Sequence, residues 1–273
     1  MPEGPEVRRE ADQIADRIQG QRLTEVVLAL PALAARAAGL RGRRVTRVRS
    51  RGKAMLVEFD NGLVLYSHNQ LYGKWLTVAA GARPPPTNRS LRVALHTSAG
   101  SALLYSASDV ALLRTDELDQ HPYLSRLGVE VLDDEVAWQD VARQLLEPRF
   151  AGRALAGLYL DQHCLAGIGN YLRSEILFSA GLQPDRKPKD LTRGELGRLA
   201  RATLQLTRRS YATGGITNSP RRSARLKRAG RSFEGYRFMV FDRDGAPCYA
   251  CDSLIQRTEM SSRRLYFCDG CQT

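Results

Sequence analysis

Residues 248–271 have the sequence CYACDSLIQRTEMSSRRLYFCDGC, in which two Cys-x2-Cys pairs are separated by 16 residues. Paired cysteines at this spacing are typical of a tetrahedral four-thiolate zinc site. The residues between the pairs are the right length for a β-hairpin, so the segment predicts a zinc ribbon. Four thiolates leave no coordination position open. We therefore expect one structural Zn²⁺ ion, held by Cys248, Cys251, Cys268 and Cys271, and no organic cofactor.

The chain as a whole is strongly basic. Its 273 residues include 41 Lys and Arg against 29 Asp and Glu, a formal net charge of +12. A polyanion is the natural partner of such a chain, although many proteins are basic without binding nucleic acid. No apolar run approaches the ~20 residues of a membrane span, so we expect no membrane partner. The first residues, MPEGPE, lack the pattern of a signal peptide, which predicts a cytoplasmic protein.

One segment concentrates this positive charge. Residues 196–233 contain ten Arg or Lys and no acidic residue. Gly214, Gly215 and Pro220 interrupt the helical periodicity there, which predicts a basic, mobile loop over residues 213–232. A run of solvated surface charge is the alternative, but such surfaces usually mix the two signs. We expect this segment to contact phosphate.

The periodicity of apolar residues divides the chain into a β-rich and a helical part. Val7, Ala11, Ile14 and Ile18 predict an amphipathic helix that ends at Gly20. Strands are predicted over 23–30, 45–59, 63–66, 91–95 and 102–105, with a loop over 81–88. Helices are predicted over 136–146, 170–180 and 191–208, the last opened by a capping box of Thr192 and Glu195.

The chain begins with residues that could carry chemistry. A zinc ion whose four coordination positions are all filled by thiolates has no position for a substrate, so it explains no catalytic activity. The four histidines form no HExxH pattern of a catalytic metal site. Removal of Met1 would leave Pro2 with a free secondary amine, and an α-amine near pKa ~8 is deprotonated far more often than a lysine near ~10.4. Such an amine attacks a sugar C1′ to form an iminium, which is an electron sink. Glu3 could supply the acid, although most proteins carry such residues without consequence.

Several stretches of the chain together carry a resemblance to a known family. They are PEGPEVRR (2–9), RGKA (51–54), YSHNQLYG (66–73), LYSASD (104–109), AGIGNYL (166–172) and the cysteine-rich segment. These stretches resemble one family of DNA repair enzymes, the formamidopyrimidine-DNA glycosylases and endonucleases VIII. The resemblance extends from end to end. Gly4 and the contiguous Gln70-Leu71-Tyr72 are similar to the endonuclease VIII branch.

The resemblance implies roles for the catalytic candidates. The proline that matches Pro2 forms the Schiff base, and the glutamate that matches Glu3 is the acid. Lys53 matches a lysine that assists β-elimination, although an exposed strand lysine is the alternative. Arg263, near the expected hairpin tip, matches an arginine that holds phosphates and aids δ-elimination. Glu6 matches a supporting acid, and it could instead be a simple charge at the helix N-terminus.

The resemblance also implies DNA contacts. Gln70, Leu71 and Tyr72 match the wedge that enters the duplex where the damaged nucleotide leaves it. The alternative interpretation is that these side chains pack in the core. Asn170, at a glycine-flanked helix start, suits a phosphate. Arg126 matches an interdomain arginine that contacts DNA.

The implied fold is of the multidomain α+β class. It comprises an N-terminal β-sandwich with a leading helix, a helical domain with a helix–two-turn–helix element, and a C-terminal zinc ribbon. We expect a catalytic domain at 1–121, a linker at 122–132, the helical domain at 133–220, and the basic loop with the ribbon at 221–273.

The function implied is that of a bifunctional DNA glycosylase and AP lyase of base excision repair. It would remove oxidised pyrimidines through a Pro2 Schiff base and β,δ-elimination. One alternative keeps this chemistry but prefers oxidised purines (8-oxoguanine and formamidopyrimidines), and another is a non-enzymatic zinc-ribbon DNA-binding protein. The expected partner is double-stranded DNA with damaged bases or abasic sites. We expect a monomer in the bacterial cytoplasm, associated with the nucleoid.

Overall fold

The computed structural model describes residues 2–273, which form two compact units. The first unit ends at Ser125 and the second begins at Arg126. The predicted removal of Met1 concerns a residue outside those described. Among the described residues, no helix combines the length and the apolarity needed to cross a membrane.

The leading helix of the first unit follows the predicted periodicity. Helix α1 spans Gly4–Ile18, and Val7, Ala11, Ile14 and Ile18 are all buried along one face. Its N-cap is Glu3. The helix ends before Gly20, whose φ of +79° is in the left-handed region that favours glycine. The prediction of a helix at the start of the chain is confirmed.

The rest of the first unit consists of two antiparallel four-stranded sheets. In order across each sheet, the first consists of Leu23–Leu28, Leu91–Thr97, Gly100–Tyr105 and Lys74–Ala79, and the second of Val45–Arg51, Ala54–Phe59, Leu63–His68 and Asp109–Arg114. Helix α1 packs on strands of both sheets, and the apolar side chains between these layers form one core. This arrangement confirms the predicted β-sandwich with a leading helix. The elements are β1 Leu23–Leu28, α2 Pro31–Ala34, β2 Val45–Arg51, β3 Ala54–Phe59, β4 Leu63–His68, β5 Lys74–Ala79, β6 Leu91–Thr97, β7 Gly100–Tyr105 and β8 Asp109–Arg114.

Strand prediction is incomplete in this unit. The stretch 45–59 is two strands joined by a tight turn at Gly52 and Lys53, since Arg51 pairs with Ala54. Strands β5 and β8 are not predicted by the periodicity, because only Trp75 and Val78 of β5 and Leu112 of β8 are buried, too few to give a clear alternation. The predicted loop over 81–88 is confirmed.

The second unit is mostly helical, as predicted. Helix α6 matches its predicted bounds, and α7 begins after the Thr192 cap, which accepts a hydrogen bond from the Glu195 backbone N–H. The elements are β9 Val129–Glu130, α3 Trp138–Leu145, α4 Pro148–Ala151, α5 Leu155–Leu158, β10 Leu165–Ala166, α6 Asn170–Ala180, α7 Arg193–Thr213, α8 Pro220–Arg228, α9 Phe233–Arg237, β11 Gln256–Met260 and β12 Arg263–Phe267.

The prediction of a mobile loop over residues 213–232 is wrong. Gly214 does end α7 in a left-handed conformation. Pro220, however, is the first residue of α8, and the Ser219 side chain caps that helix by accepting from the Arg222 N–H. The N–H of the first helical residue has no hydrogen-bond partner within the helix, so proline, which lacks an N–H, is well tolerated there. Proline therefore starts helices as readily as it ends them.

Strands β11 and β12 form the predicted hairpin. Met260 pairs with Arg263, and the turn residues Ser261 and Ser262 both have φ of +56°, as in a type I′ turn. Arg264 pairs with Glu259 in the regular register. The turn therefore places Arg263 at the hairpin tip, as predicted.

Candidate functional site

The N-terminus of α1 holds three of the predicted catalytic residues. Pro2 directly precedes the N-cap, and Glu3 is only 3% exposed. The Glu3 backbone N–H donates to Glu6 Oε2 at 3.0 Å. Glu6 thus caps the helix and holds the Glu3 backbone in place, which agrees with the alternative of a helix N-terminal charge.

Lys53 lies in the turn between β2 and β3, where Gly52 has a φ of +55°. It is only 5% exposed, so the alternative of an exposed strand lysine is wrong. Its backbone N–H donates to the Tyr123 hydroxyl at 2.9 Å. Lysines are almost never buried without a specific partner or role, so this position is chemically unusual.

An aromatic and histidine cluster lies beside Lys53. The rings of His68 and Tyr123 meet edge to face with centroids 5.3 Å apart, and those of Tyr66 and His121 lie 4.2 Å apart. Burial lowers the pKa of His68; the Asp109 carboxylate opposes this shift and the Lys53 charge adds to it. His68 is therefore a neutral imidazole at pH 7. The sequence predicts no role for His68 or Tyr123, because nothing local marks their approach to Lys53.

The residues predicted to form the wedge lie in a tight loop between β4 and β5, residues 69–73. Gly73 N–H donates to the Asn69 carbonyl at 2.7 Å, and a Cβ at Gly73 would lie 2.6 Å from that oxygen. Gln70 has a φ of +49°, its N–H donates to His68 Nδ1 at 3.0 Å, and its Oε1 accepts from Ser108 Oγ at 2.9 Å. His68 thus connects this loop with the surroundings of Lys53.

The loop presents two large apolar side chains to solvent. Leu71 is 59% and Tyr72 is 70% exposed, and the Tyr72 carbonyl accepts from Arg89. Core packing, the alternative for these residues, is therefore excluded. Exposed apolar groups on a rigid loop indicate a contact surface.

In the second unit, the structure brings Asn170 and Arg263 together. Both line one cavity of about 470 Å³, together with Ser262 and Arg264. Asn170 is the first residue of α6, preceded by Gly169 as N-cap. The helix N-terminus and the two exposed arginines suit an anion, although the carboxylates of Asp242 and Glu259 line the same cavity. Arg126 is exposed and does not line this cavity.

Arg173 connects the first turn of α6 with the hairpin of β11 and β12. It is fully buried, and its guanidinium donates to Asn170 Oδ1 at 2.7 Å and to the Arg264 carbonyl at 3.1 Å. Further bonds reach the Met260 carbonyl at 3.1 Å and the Ala156 carbonyl at 3.0 Å. The sequence gives no local sign of these bonds, because the hairpin partners of Arg173 are 87 and 91 residues away in the chain.

Glu175, also buried on α6, holds the segment that leads into the cysteine-rich region. Its carboxylate accepts from the backbone N–H groups of Met239, Val240 and Phe241 at 2.8–2.9 Å, and from the Thr217 hydroxyl. Arg173 and Glu175 thus fasten the ribbon to α6 at two places.

The four cysteines of the ribbon converge. Their sulfur atoms all lie within 4.8 Å of one another, and three of the separations are 3.3, 3.4 and 3.8 Å. A tetrahedral ion with ~2.3 Å bonds to sulfur requires sulfur separations of about 3.8 Å, so the arrangement fits one metal ion. A Cβ at Gly270 would lie 2.9 Å from Cys251 Sγ, so the second knuckle requires glycine there. Cys164, by contrast, is buried in the helical core, and burial raises its pKa to about 12.

Comparisons with known proteins agree on one family. Residues 1–108 match the formamidopyrimidine-DNA glycosylase N-terminal domain, and residues 127–221 match the formamidopyrimidine-DNA glycosylase H2TH domain. The chain is 48% identical to proteins named Endonuclease 8 from Shigella sonnei and Escherichia coli K12, over 100% of each sequence.

Solved structures have the same fold. The MutM (Fpg) protein of Thermus thermophilus is 31% identical, with a TM-score of 0.79 over 99% of this chain and 98% of that one. The Lactococcus lactis Fpg in complex with abasic-site DNA is 21% identical, with a TM-score of 0.80 over 99% of both chains.

The match over the full length to enzymes rejects the alternative of a protein that only binds nucleic acid. The chain belongs to the formamidopyrimidine-DNA glycosylase and endonuclease VIII family and is a DNA glycosylase and AP lyase of base excision repair.

Proposed function

We propose that the amine of Pro2 is the nucleophile of this glycosylase and lyase, and that Glu3 is its acid. The observation that carries the proposal is the placement of Pro2 directly before a buried Glu3 at the N-terminus of α1. A carboxyl in a dry site is suited to hold and transfer a proton. The N-terminal end of a helix also disfavours protonation of a nearby amine.

The chemistry runs through a covalent intermediate. The Pro2 nitrogen attacks C1′ of the damaged nucleoside, and the bond from C1′ to the base breaks as the base or sugar oxygen receives a proton from Glu3. Opening of the sugar ring gives an iminium, which acidifies the C2′ hydrogen. Loss of that proton expels the 3′ phosphate by β-elimination, a second elimination expels the 5′ phosphate, and water releases Pro2.

Lys53 assists these eliminations. Its burial beside neutral His68 and near Tyr123 supports a role for its cation near the sugar and phosphate rather than in bulk solvent. Arg263 would neutralise a phosphate during δ-elimination. Glu6 supports the reaction by holding the Glu3 backbone.

Residues 70–72 are the wedge. Extrusion of a base from a duplex costs a few kcal/mol of stacking, and an apolar plug offsets part of this cost. The exposure of Leu71 and Tyr72, on a loop held by Gly73 and His68, supports this assignment. Gln70 would contact the bases through its amide.

The DNA backbone would bind at two further places. The Asn170 end of α6 and the Arg263 guanidinium would hold one phosphate at the cavity they line, and the exposed Arg126 would hold another. The four cysteines would hold zinc as a structural ion, which keeps the hairpin of Arg263 folded. We also propose a monomer that works on the bacterial nucleoid in the cytoplasm.

Oxidised pyrimidines are the proposed lesions. The support is the resemblance of Gly4 and contiguous residues 70–72 to the endonuclease VIII branch, together with 48% identity to proteins named Endonuclease 8. Activity should therefore be higher on duplexes with thymine glycol or dihydrouracil than on duplexes with 8-oxoguanine. A preference for 8-oxoguanine would instead support the alternative of oxidised purines.

Reduction with borohydride tests the nucleophile. The enzyme mixed with abasic-site duplex should form a stable adduct, and peptide mapping should locate it at Pro2. A variant with a residue added before Pro2 should lose the adduct but keep salt-sensitive DNA binding. If the extended variant still formed the adduct, the nucleophile would be a lysine, and the proposal would be wrong.

A further inference from the structure

Helix α8 carries an unusual concentration of positive charge. Its sequence, PRRSARLKR, contains five basic residues and no acidic one, and Arg231 follows soon after. Arg221, Arg225 and Arg228 are spaced at i, i+4 and i+7, so they lie along one face of the helix. All three are exposed.

This face has no internal partner for its charge. Among residues 2–273, none of the ion pairs involves Arg221, Arg225 or Arg228. Some other arginines of the second unit do form ion pairs, as Arg153 does with Asp161 at 2.7 Å. A row of like charges within about 10 Å is repulsive unless an outside anion compensates it.

The opposite face of α8 is docked on the protein. Ser223 is buried, and its hydroxyl donates to the Tyr236 carbonyl at 3.3 Å. The guanidinium of Arg222 stacks over the Tyr249 ring at 5.0 Å, and it donates to the Tyr249 carbonyl at 3.4 Å. Tyr249 lies between Cys248 and Cys251 in the first knuckle. The helix is therefore held directly against the cysteine site.

The exposed arginines also frame a concavity. A hollow of about 300 Å³ is lined by Arg221, Arg222, Arg225 and Tyr249, with Ser219 at its edge. Arginine guanidiniums pair with phosphate oxygens in bidentate geometry, and phosphates repeat along each DNA strand. The row of charge on α8 is thus complementary to a nucleic-acid backbone.

We propose that Arg221, Arg225 and Arg228 of α8 form a DNA-backbone contact that acts on damaged and undamaged duplex alike and is held in place by the knuckle residue Tyr249. The inference rests on the proposal that the partner is DNA. It adds a second contact surface for that DNA, separate from the cavity of Asn170 and Arg263. Its effect is on affinity and on the search along DNA, since phosphate contacts carry no base information.

The test compares two variants that lose equal charge. In the first, Arg221, Arg225 and Arg228 are replaced by Gln; in the control, the exposed Lys187, Lys189 and Arg193 of the same unit are replaced by Gln. Binding to an undamaged duplex of about 20 base pairs is measured between about 50 and 200 mM salt. Melting temperature and zinc content verify that each variant is folded.

We expect the α8 variant to bind about tenfold more weakly, with a slope of log K against log salt that is shallower by roughly 2–3. The control variant should lose much less affinity for the duplex. Replacement of the same three arginines by Lys should restore most of the slope, because a point charge suffices for phosphate. Equal losses in both Gln variants, or an unchanged slope in the α8 variant, would overturn the proposal.

The result is independent of the catalytic proposal. Undamaged duplex has no lesion, so the slope is measured whether or not Pro2 is the nucleophile. Borohydride trapping on abasic-site duplex is measured separately, in the wild-type enzyme. If trapping failed in the wild-type enzyme while the slopes still differed, the proposed nucleophile would be wrong and the α8 surface would stand.

Discussion

The Glu10 carboxylate accepts a hydrogen bond from the Asn69 side-chain amide at 2.7 Å, which joins helix α1 to the loop of residues 69–73. Asn69 is only 4% exposed. Burial raises the pKa of Glu10 to about 7; the bond from Asn69 and the charge of Lys74 oppose the shift, and the Glu6 carboxylate adds to it. The helix that begins just after Pro2 and Glu3 is thus coupled to the loop that carries Leu71 and Tyr72.

Replacement of Glu10 by Ala tests this coupling. The buried Asn69 amide loses its acceptor, which should lower the free energy of unfolding by about 1–3 kcal/mol. The loop should also lose definition, so excision from duplex should slow by about tenfold, while cleavage of a single-stranded abasic substrate stays nearly unchanged. Asp16, exposed on the same helix, provides the control as Asp16→Asn. Equal slowing on both substrates would contradict a role through the loop.

The titration of Glu10 predicts a pH dependence of stability. The folded carboxyl keeps its proton up to a pKa of about 7, whereas the unfolded one loses it near its ordinary value of 4.5. Between these values the folded state binds more protons, so the free energy of unfolding falls as pH rises, by at most about 3 kcal/mol. Above the folded pKa the loss is complete.

Glu10→Gln should remove this component. Urea unfolding at about pH 5 and pH 8 should therefore show the variant gaining stability relative to wild type at the higher pH. Other titrating groups cancel in the comparison. A difference between variant and wild type that does not change with pH would refute the assignment.

Truncation of the wedge side chains should slow excision without changing the stability of the fold. Leu71 and Tyr72 are largely exposed, so replacing both by Ala should change the free energy of unfolding by less than about 0.5 kcal/mol. Excision of a base from duplex should slow by at least about tenfold, because no plug offsets the lost stacking. Single-turnover rates on duplex and single-stranded substrates measure both effects. Unchanged rates of excision from duplex would exclude a wedge role for Leu71 and Tyr72.

Arg173→Met should be strongly destabilising. Its guanidinium satisfies carbonyl groups of the hairpin and α5, and their loss leaves buried acceptors unpaired. We expect a loss of about 3–5 kcal/mol, with weaker duplex binding because Asn170 and Arg263 lose their common partner. Thermal unfolding and duplex binding check this. Arg198→Met, on an exposed position of α7, is the control and should have little effect.

Removal of the metal should affect the ribbon first. Structural zinc is coupled to folding, so chelation should unfold residues 248–271 and weaken duplex binding. Because Tyr249 holds α8, the salt dependence of binding should also become shallower. Metal analysis identifies the ion. Unchanged binding after verified metal loss would exclude a role for the ribbon in DNA contact.

Local patterns in the chain predicted much of this structure. The spacing of Val7, Ala11, Ile14 and Ile18 predicted α1, and the Thr192 capping box predicted the start of α7, because both depend on neighbours within a few residues. The mobile loop predicted across Pro220 is wrong for a related reason. A proline is compatible with a helix start or a helix end, and only the Ser219 cap and the packing of Ser223 decide between them.

Other features depended on residues far apart in the chain. Residue identity and short spacing were enough to predict the cysteine cluster, the tip position of Arg263 and the family. Only the tertiary structure decided that Lys53 is buried beside His68 and Tyr123, that Arg173 joins Asn170 to the hairpin, and that Glu10 holds Asn69. Burial and hydrogen bonding between distant segments arise from packing, and no local pattern encodes them.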